Sequence, residues 1–338
     1  MVSYILRRFL GAVAVFVAVT LGTYVTFFVI AERVPQAVQG LGRNRDVDRA
    51  RHLANLDDPV LVQYANYLKG IAHGSLGQAD ASRQSVNDVV LRAVPVTASL
   101  LVGAIVIWML IAVVVGVHSA LRPRSFVDRA AMVAVLIGIS AHPVWIGLVL
   151  GYLLGYKAHM FPITGYCDFF DPPPGRCGGP VQWAYHLMLP CFTLAVFFAA
   201  MYVRMVRAGV LEALDQDFVR TARAKGAPES HVIRRHVLRN AMLPVVTMLG
   251  MDVGLALGSA AFVEIVFGLP GLGRVAIEHL SLVRTVQTGN FAPLDLPIIA
   301  GVVVVMTLVI IAANLVADIA LTFLDPRIEV DGEALEIG

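Results

Sequence analysis

Eight of the chain's lysines and arginines fall within residues 204–240, which lie between two long apolar blocks. Four apolar residues in the first part of this segment recur at helical spacing: Leu211, Leu214, Phe218 and Ala222. Gly226 is placed to end that helix and Pro228 to begin another, because glycine closes helices cheaply and proline fits a first turn. The segment is therefore predicted to be a helix-turn-helix.

The second predicted helix carries its apolar side chains and its arginines on different faces. Val232, Ile233 and Val237 form one face, and Arg234, Arg235 and Arg239 lie elsewhere. Such a surface could enter a groove of a partner protein, with the arginines at its flank. It could equally lie on anionic lipid, which also attracts arginine. The residues alone leave both interpretations open.

Two cysteines stand close together in a loop between apolar blocks. Cys167 and Cys177 are separated by nine residues, three of which are consecutive prolines. If the loop is extracytoplasmic, the oxidising compartment favours a disulfide between them, and the alternative is two free thiols. No histidine or third cysteine stands at metal-ligand spacing, so no metal site is predicted. Cys191 lies inside an apolar block and is predicted to be a packing residue.

Other residues offer little catalytic or ion-coupling chemistry. Asp252 is the clear ionisable candidate inside an apolar block, so a secondary transporter that uses Asp252 for ion coupling is an alternative function. The structural interpretation of Asp252 is a group that forms a hydrogen bond between helices or lines a cavity. The histidines fit no H-E-x-x-H pattern and no G-x-S-x-G occurs, so neither catalytic residues nor a cofactor is predicted. The G-x-x-x-x-G-K-[ST] phosphate loop is also absent from the sequence.

The elements that carry these residues are six mostly apolar blocks. They run over residues 9–31, 93–117, 130–156, 181–203, 241–263 and 296–317. Each is longer than the roughly 20 residues needed to cross a hydrocarbon core. With 58% hydrophobic and 15% charged residues the chain is too apolar for a soluble protein, and a net charge of +2 gives no reason to expect nucleic acid. The predicted fold class is all-α, a polytopic membrane bundle of six transmembrane helices.

The basic residues of alternate loops predict the orientation. Residues 118–129 carry three arginines and residues 204–240 carry eight basic residues, whereas 157–180 and 264–295 carry two each. The positive-inside rule makes the first pair of loops cytoplasmic, and six spans then place both termini in the cytoplasm. Residues 32–92 are extracytoplasmic, because long loops cross the membrane largely regardless of charge.

Four regions follow from this topology: a cytoplasmic N-terminus with the first span (1–31), an extracytoplasmic helical loop (32–92), a five-span core (93–326) and a cytoplasmic tail (327–338). The loop is predicted to hold short helices at 46–53 and 59–71, the second with Asp58 as its N-cap, before a turn at 74–77. Three glycines and a proline within residues 267–273 cannot continue a membrane helix, so a turn is predicted near the outer surface.

The run DFVRTARAKG at residues 217–226, followed by RHVLRNA at 235–241, resembles the cytoplasmic coupling loop of bacterial ABC-importer permeases of the dipeptide/oligopeptide/nickel group. The general importer pattern E-A-A-x-x-x-G stands here as Arg220-Thr221-Ala222-x-x-x-Gly226, with the first two residues replaced as is usual in the peptide group. The resemblance implies an ATPase-coupling loop, here called the coupling loop, that contains Asp217, Arg220, Thr221, Ala222, Ala224, Lys225, Gly226 and Arg235.

The resemblance extends over nearly the whole chain. Leu56-Asp57-Asp58-Pro59 resembles the family's first outer loop, and Pro95-x-Thr97 resembles the start of its second span. The later match implies an outer gate region that contains Glu264, Gly268, Pro270, Gly271 and Gly273. The long outer loop after the first span resembles the first, or B-type, of two paired permeases with the type I importer fold. Residues 276–296 form a longer outer loop than is usual in the family.

The resemblance also implies a division of labour. This chain would pair with a second homologous permease in the membrane lipid, and the pair would rest on two ATP-binding subunits that hydrolyse ATP in its place. An extracytoplasmic binding protein would deliver the cargo, which is a peptide or, as an alternative within the family, a nickel chelate or another small solute. Alternating access would then carry the cargo across the bacterial cytoplasmic membrane.

Overall fold

The computed structural model describes residues 2–26, 59–78, 84–170, 177–280 and 295–324, and in these residues the chain is helical apart from turns and two isolated bridges. The helices are α1 Val2–Tyr24, α2 Val60–Ala72, α3 Val86–Leu121, α4 Phe126–Ser140, α5 Pro143–Leu150, α6 Pro180–Leu214, α7 Asp217–Ala224, α8 Glu229–His231, α9 Leu238–Ala241, α10 Leu243–Phe267, α11 Leu272–Leu280 and α12 Leu296–Leu324. The π-helical segment Gly151–Lys157 continues α5, and the π-helical segment Val232–Val237 joins α8 to α9.

Four helices of the described residues are long and apolar enough to cross a membrane: α3, α6, α10 and α12. The broken pair formed by α4 and α5 raises the number to five if it is one span. The apolar part of α1, Phe9–Tyr24, is shorter than a span, and the end of the first predicted block, 27–31, lies outside the described residues. The predicted number of six spans is therefore not tested here, whereas the all-α membrane fold class is confirmed.

The third predicted block, 130–156, is not one continuous helix. Phe126–Ser140 and Pro143–Lys157 meet at an angle of 110°. The cause is local, because proline disfavours helical backbone in the residue before it. His142 accordingly has an extended ψ of 142°, and its Nδ1 accepts a 3.3 Å hydrogen bond from the Val144 N–H at the new helix start. The sequence contained this signal, but the prediction treated it as a tolerated proline within one span.

The chain divides into two compact units, Met1–Val94 with Val275–Val309 and Pro95–Arg274 with Ile310–Gly338. In the first unit the predicted helix at 59–71 is confirmed as α2, although Pro59 takes the N-cap position that was assigned to Asp58. Tyr64 on α2 is buried and its hydroxyl lies 2.9 Å from Thr20 Oγ1 of α1. The helix predicted at 46–53 and residue Asp58 lie outside the described residues.

The second unit is organised around α6, the helix that leads into the coupling loop. A Cβ added at Gly103 of α3 would lie 2.6 Å from Cys191 Sγ of α6, and one at Gly116 would lie 2.9 Å from Val206. Because both contacts advance in the same direction along the two helices, α3 and α6 are parallel neighbours. The small glycine surface lets the backbones approach closely, which is how membrane helices pack. Cys191 is a buried packing residue, as predicted.

The helices α4 and α10 run antiparallel to α6. Ala241, two residues before the start of α10, lies beside Gly209 of α6, and Asp252 of α10 lies beside Tyr202. A Cβ added at Gly138 of α4 would lie 2.8 Å from the Ala200 Cβ. The ends of α4 and α6 near residues 128 and 207 therefore lie on the same side of this unit as the coupling loop.

Candidate coupling loop and outer gate region

The coupling loop begins with a short helix, α7, that is separated from the end of α6. The first predicted helix of the segment is wrong in its extent, because α6 ends at Leu214 and α7 begins separately at Asp217. Helical spacing grouped Phe218 with Leu211 and Leu214 as apolar positions of one helix. Instead Phe218 is exposed, and Val219 is the fully buried residue of α7. The buried face of α6 ends with Val210 and Ala213, and the break after Leu214 starts a new helical phase in which Val219 is buried.

Gly226 ends α7, as predicted, through a specific hydrogen-bonded turn. Its φ of +78° is left-handed, a conformation that glycine adopts without a steric penalty. The Gly226 N–H donates to the Arg223 carbonyl at 2.9 Å, and the Ala227 N–H donates to the Ala222 carbonyl at 3.2 Å. This pair of bonds is a Schellman motif, which satisfies the last carbonyls of the helix. The turn reverses the chain toward Pro228 and the second helical arm.

The second arm, residues 229–241, packs against α7 through the segment Val232–Val237. Val232 and Val237 are fully buried, while Arg234, Arg235 and Arg239 are exposed, so the predicted separation of apolar and basic faces is confirmed. The arm then reaches α6, since a Cβ added at Gly209 would meet the Ala241 carbonyl at 3.1 Å. The coupling loop is thus a small folded unit with its own apolar contacts.

An ion pair joins the two arms of this unit. Arg223 donates to Glu229 through Nη2 at 2.6 Å and through Nε at 3.1 Å, a bidentate geometry that fixes orientation. The hydrogen bonds from Arg223 hold the pKa of the Glu229 carboxyl below its usual value. Both groups are solvent-exposed, so the pair contributes orientation more than stability.

The residues predicted for the coupling loop lie mostly on its free surface. Asp217, Arg220, Thr221, Ala224, Lys225, Gly226 and Arg235 are exposed, and Ala222 is half-buried. Asp217 and Arg220 form a loose exposed pair with 3.6 Å between Oδ1 and Nη1. The surface combines short side chains with charges, and it extends from one end of a membrane helix.

The outer gate region is built around the buried carboxylate of Glu264, close to the end of α10. Its Oε1 accepts a 2.6 Å hydrogen bond from Thr97 Oγ1, and its Oε2 accepts a 2.9 Å bond from the Arg274 N–H. The Thr97 hydroxyl in turn accepts from the Leu272 N–H at 2.8 Å. A negative group at the first turn of α11 satisfies free N–H groups and opposes the helix dipole favourably.

The glycines of the outer gate region make room for this arrangement. Gly268 has a left-handed φ of +66° and ends α10, with the Leu269 N–H donating to the Glu264 carbonyl at 2.8 Å. A Cβ at Gly271 would lie 2.2 Å from Glu264 Oε1, and one at Gly273 would lie 2.3 Å from the Ala261 Cβ. Pro270 is exposed at the tip of the turn. The predicted turn is confirmed, and its close contacts explain the glycines.

Cys167 and Cys177 are disulfide-bonded in the structure. The sequence analysis did not predict that His186 lies beside this disulfide, because His186 stands nine residues beyond Cys177, on α6, and shows no ligand spacing. Its Nδ1 is 3.2 Å from Cys167 Sγ and 2.9 Å from the Gln182 carbonyl. The two sulfurs and the ring nitrogen all lie within 4.8 Å of one another. Since the thiols are bonded to each other, the cluster is a disulfide with an adjacent imidazole.

Asp252 is buried between α10 and α6 and accepts a 2.7 Å hydrogen bond from the Tyr202 hydroxyl. This bond between α6 and α10 agrees with the structural interpretation of Asp252 as an interhelical hydrogen-bonding group. Another buried carboxylate, Asp128, was not singled out from the sequence, although Ser125-x-x-Asp128 before an apolar run is a helix-start signal. Asp128 is paired with Arg207.

Comparison with known proteins identifies the family. The family described as "Binding-protein-dependent transport system inner membrane component" matches residues 109–330, and its N-terminal counterpart matches residues 1–101. The dipeptide transport system permease protein DppB of Escherichia coli (strain K12) is 32% identical over 350 residues, covering 97% of this chain and 99% of that protein. A Brucella abortus (strain 2308) protein provisionally named a peptide transport system permease protein is 32% identical over 332 residues, covering 98% and 100%.

A crystal structure of an amino acid ABC transporter with histidines aligns with a TM-score of 0.44 and 16% identity, covering 71% of this chain and 94% of that chain. Both family matches together extend over nearly the whole sequence. The chain belongs to the family of inner membrane components of binding-protein-dependent transport systems.

Proposed function

We propose that this chain is one of two permease subunits of an ATP-driven importer that carries di- or oligopeptides across the bacterial cytoplasmic membrane. Family membership supports the importer, and the names of relatives that match over their full length support a peptide cargo. A second homologous permease completes the pathway, two ATP-binding subunits hydrolyse ATP, and an extracytoplasmic protein delivers the peptide. This chain forms the channel and does not hydrolyse ATP.

The observation that carries the proposal is the form of the coupling loop. The orientation of α7 is fixed by buried Val219, the Gly226 turn and the Arg223–Glu229 pair. A segment that only connected two spans would need none of these. We infer that the free surface of α7 enters a groove on an ATP-binding subunit, with Ala222 at the contact because its small side chain permits close approach.

The α10 helix gives this contact a route to the other end of the unit. It begins at Leu243, just after the second arm, and ends at Phe267 in the outer gate region. A movement of the coupling loop therefore shifts one end of a helix whose other end carries the Glu264 cap. In the proposal, ATP binding by the partner subunits favours one of two arrangements of the helices and hydrolysis favours the other.

Two substitutions in the coupling loop test the proposal. Ala222→Glu adds a carboxylate at the inferred contact, where burial without a partner is costly. Gly226→Val forces a β-branched residue into left-handed backbone, at a cost of about 1–2 kcal/mol, although nothing lies within 4 Å of the added Cβ. Both should reduce whole-cell peptide uptake and co-purification of the ATP-binding subunits, with near-normal abundance in the membrane.

Two control variants separate this mechanism from attachment to lipid. Gly226→Asn keeps a residue type that tolerates left-handed backbone, so it should be mild where Gly226→Val is harmful. Loss of Arg234 and Arg235 together should be the more harmful change if the arm lies on anionic lipid. Normal uptake and normal retention of the ATP-binding subunits in both Ala222→Glu and Gly226→Val would refute the coupling role.

A further inference from the structure

The carboxylate of Asp128 receives hydrogen bonds from three parts of the second unit. Arg207 of α6 donates through Nε to Oδ1 at 2.7 Å and through Nη2 to Oδ2 at 3.0 Å. Ser119, near the end of α3, donates to Oδ1. The Arg124 N–H, in the turn between α3 and α4, donates to Oδ2 at 2.9 Å. Four donors thus converge on two oxygens, which exhausts the lone pairs of the carboxylate.

The turn that presents this carboxylate is built for it. Arg124 has a left-handed φ of +63°, which is uncommon for a residue with a side chain and persists where the surroundings require it. Ser125 caps α4, its hydroxyl accepting from the Asp128 N–H at 3.2 Å. Asp128 is 4% exposed, and its guanidinium partner is only partly exposed. A buried, bidentate and fully hydrogen-bonded pair is more than a surface contact.

The position of the pair relates it to the coupling loop. Arg207 precedes the end of α6 at Leu214 by seven residues, which is about two helical turns. Between Arg207 and that end, Gly209 meets Ala241 of the second arm. A displacement of the coupling loop therefore reaches α6 beside Arg207. The Asp128 carboxylate then connects α6 to the start of α4, which carries Asp128, and to the end of α3, which carries Ser119.

We propose that Asp128 and Arg207 are positioning residues that make α3, α4 and α6 move as one body when the coupling loop moves. Without this tie, movement of α6 would be taken up by sliding between helices that otherwise touch through small residues. The proposal rests on the proposed role of the coupling loop. It adds that the yield of transport per ATP depends on a pair that belongs neither to the coupling-loop residues nor to the outer gate residues named above.

The test uses the complete importer reconstituted in vesicles, with peptide uptake and ATP hydrolysis measured together. Arg207→Met removes the guanidinium but keeps an apolar stem, and Asp128→Asn removes the charge. Each is expected to lower peptide transported per ATP by about tenfold, a typical coupling effect between sites, while hydrolysis continues. The matched control is Arg204→Met, at an exposed arginine one turn earlier on α6, which should leave the ratio unchanged.

A double variant separates positioning from folding. A single substitution leaves one charge buried without its partner, which can lower stability, whereas removing both charges avoids this. Asp128→Asn with Arg207→Met should therefore restore abundance and assembly but keep the low ratio of transport to hydrolysis. A normal ratio in the double variant, or its failure to assemble, would overturn the proposal. If the ATP-binding subunits do not co-purify even with the unsubstituted chain, the proposed function itself fails.

Discussion

At the outer gate region, short contact distances restrict which residue types fit. Glu264 is a cap whose two oxygens are both used, and its neighbours are glycine because nothing larger fits. The resemblance named this carboxylate as part of a gate, and the structure adds what it holds, the first turn of α11. Both carboxylate oxygens of Glu264 therefore serve the local structure.

The close contact at Gly273 predicts a loss of stability on a minimal substitution. A Cβ there would lie 2.4 Å from the Ala261 Cα, so Gly273→Ala forces backbone to move. Overpacking of this kind costs about 1–3 kcal/mol. We expect a lower melting temperature for the purified protein and lower abundance. The matched control is Gly258→Ala, on the α10 helix that carries Ala261; nothing lies within 4 Å of the added Cβ, so this variant should not be destabilised.

Asp252 provides a residue-level test of the mode of energy coupling. In Asp252→Asn the amide oxygen can still accept from the Tyr202 hydroxyl, so the fold and ATP-driven uptake should persist. Tyr202→Phe removes the donor and should destabilise by about 1 kcal/mol, as interhelical hydrogen bonds in membranes do. A loss of uptake in Asp252→Asn at normal abundance, with uptake in the parent dependent on the ion gradient, would instead favour ion coupling through this residue.

At the scale of elements, breaks between helices carry more information than the helices. Pro143 divides one apolar block into α4 and α5, and the gap after Leu214 separates α7 from α6. The first break bends the chain by 110°, and the second lets Val219 of α7 become buried. The loop between Cys167 and Cys177 is a third case, because a covalent bond and a bridge between Asp168 and Gly178 tie its ends.

The disulfide of this loop should be present in the cell. Mass spectrometry of protein purified without reductant should find the peptides of Cys167 and Cys177 linked. Closing a loop this short contributes roughly 3 kcal/mol in the chain-entropy account, so the Cys167→Ser, Cys177→Ser double variant should unfold more readily. Complete alkylation of both thiols in the native protein would show instead that they are free.

At the scale of the whole molecule, the orientation predicted from loop charges decides which partners each end can meet. The coupling loop has to be cytoplasmic to reach ATP-binding subunits. Single introduced cysteines at 57 and 226 test this in intact cells with an impermeant thiol reagent. Position 57 should be labelled and position 226 should not, until the membrane is opened. Native Cys191 is buried and should stay silent. Strong labelling at 226 in sealed cells would reverse the topology.

Much of the molecule was determined by the sequence itself. Long apolar blocks predicted membrane helices. In hydrocarbon each unpaired backbone N–H or C=O group costs free energy, and a helix pairs these groups within one segment. The turns at Gly226 and at residues 267–273 were predictable from residue type, because glycine adopts left-handed backbone easily and proline interrupts a helix. The order of basic and apolar residues on the second arm was also predictable, since helical periodicity fixes which side chains share a face.

The pairings between distant residues were decided by tertiary structure. Thr97 with Glu264, Asp128 with Arg207, and Cys167 with His186 join residues whose separation along the chain shows no pattern. The register of α7 was misjudged for the same reason, because a two-residue break resets helical phase. Local sequence restricts the backbone of each segment. Which buried polar groups meet depends on how separate helices pack, and hydrogen bonds form only after that packing has brought donor and acceptor within about 3 Å.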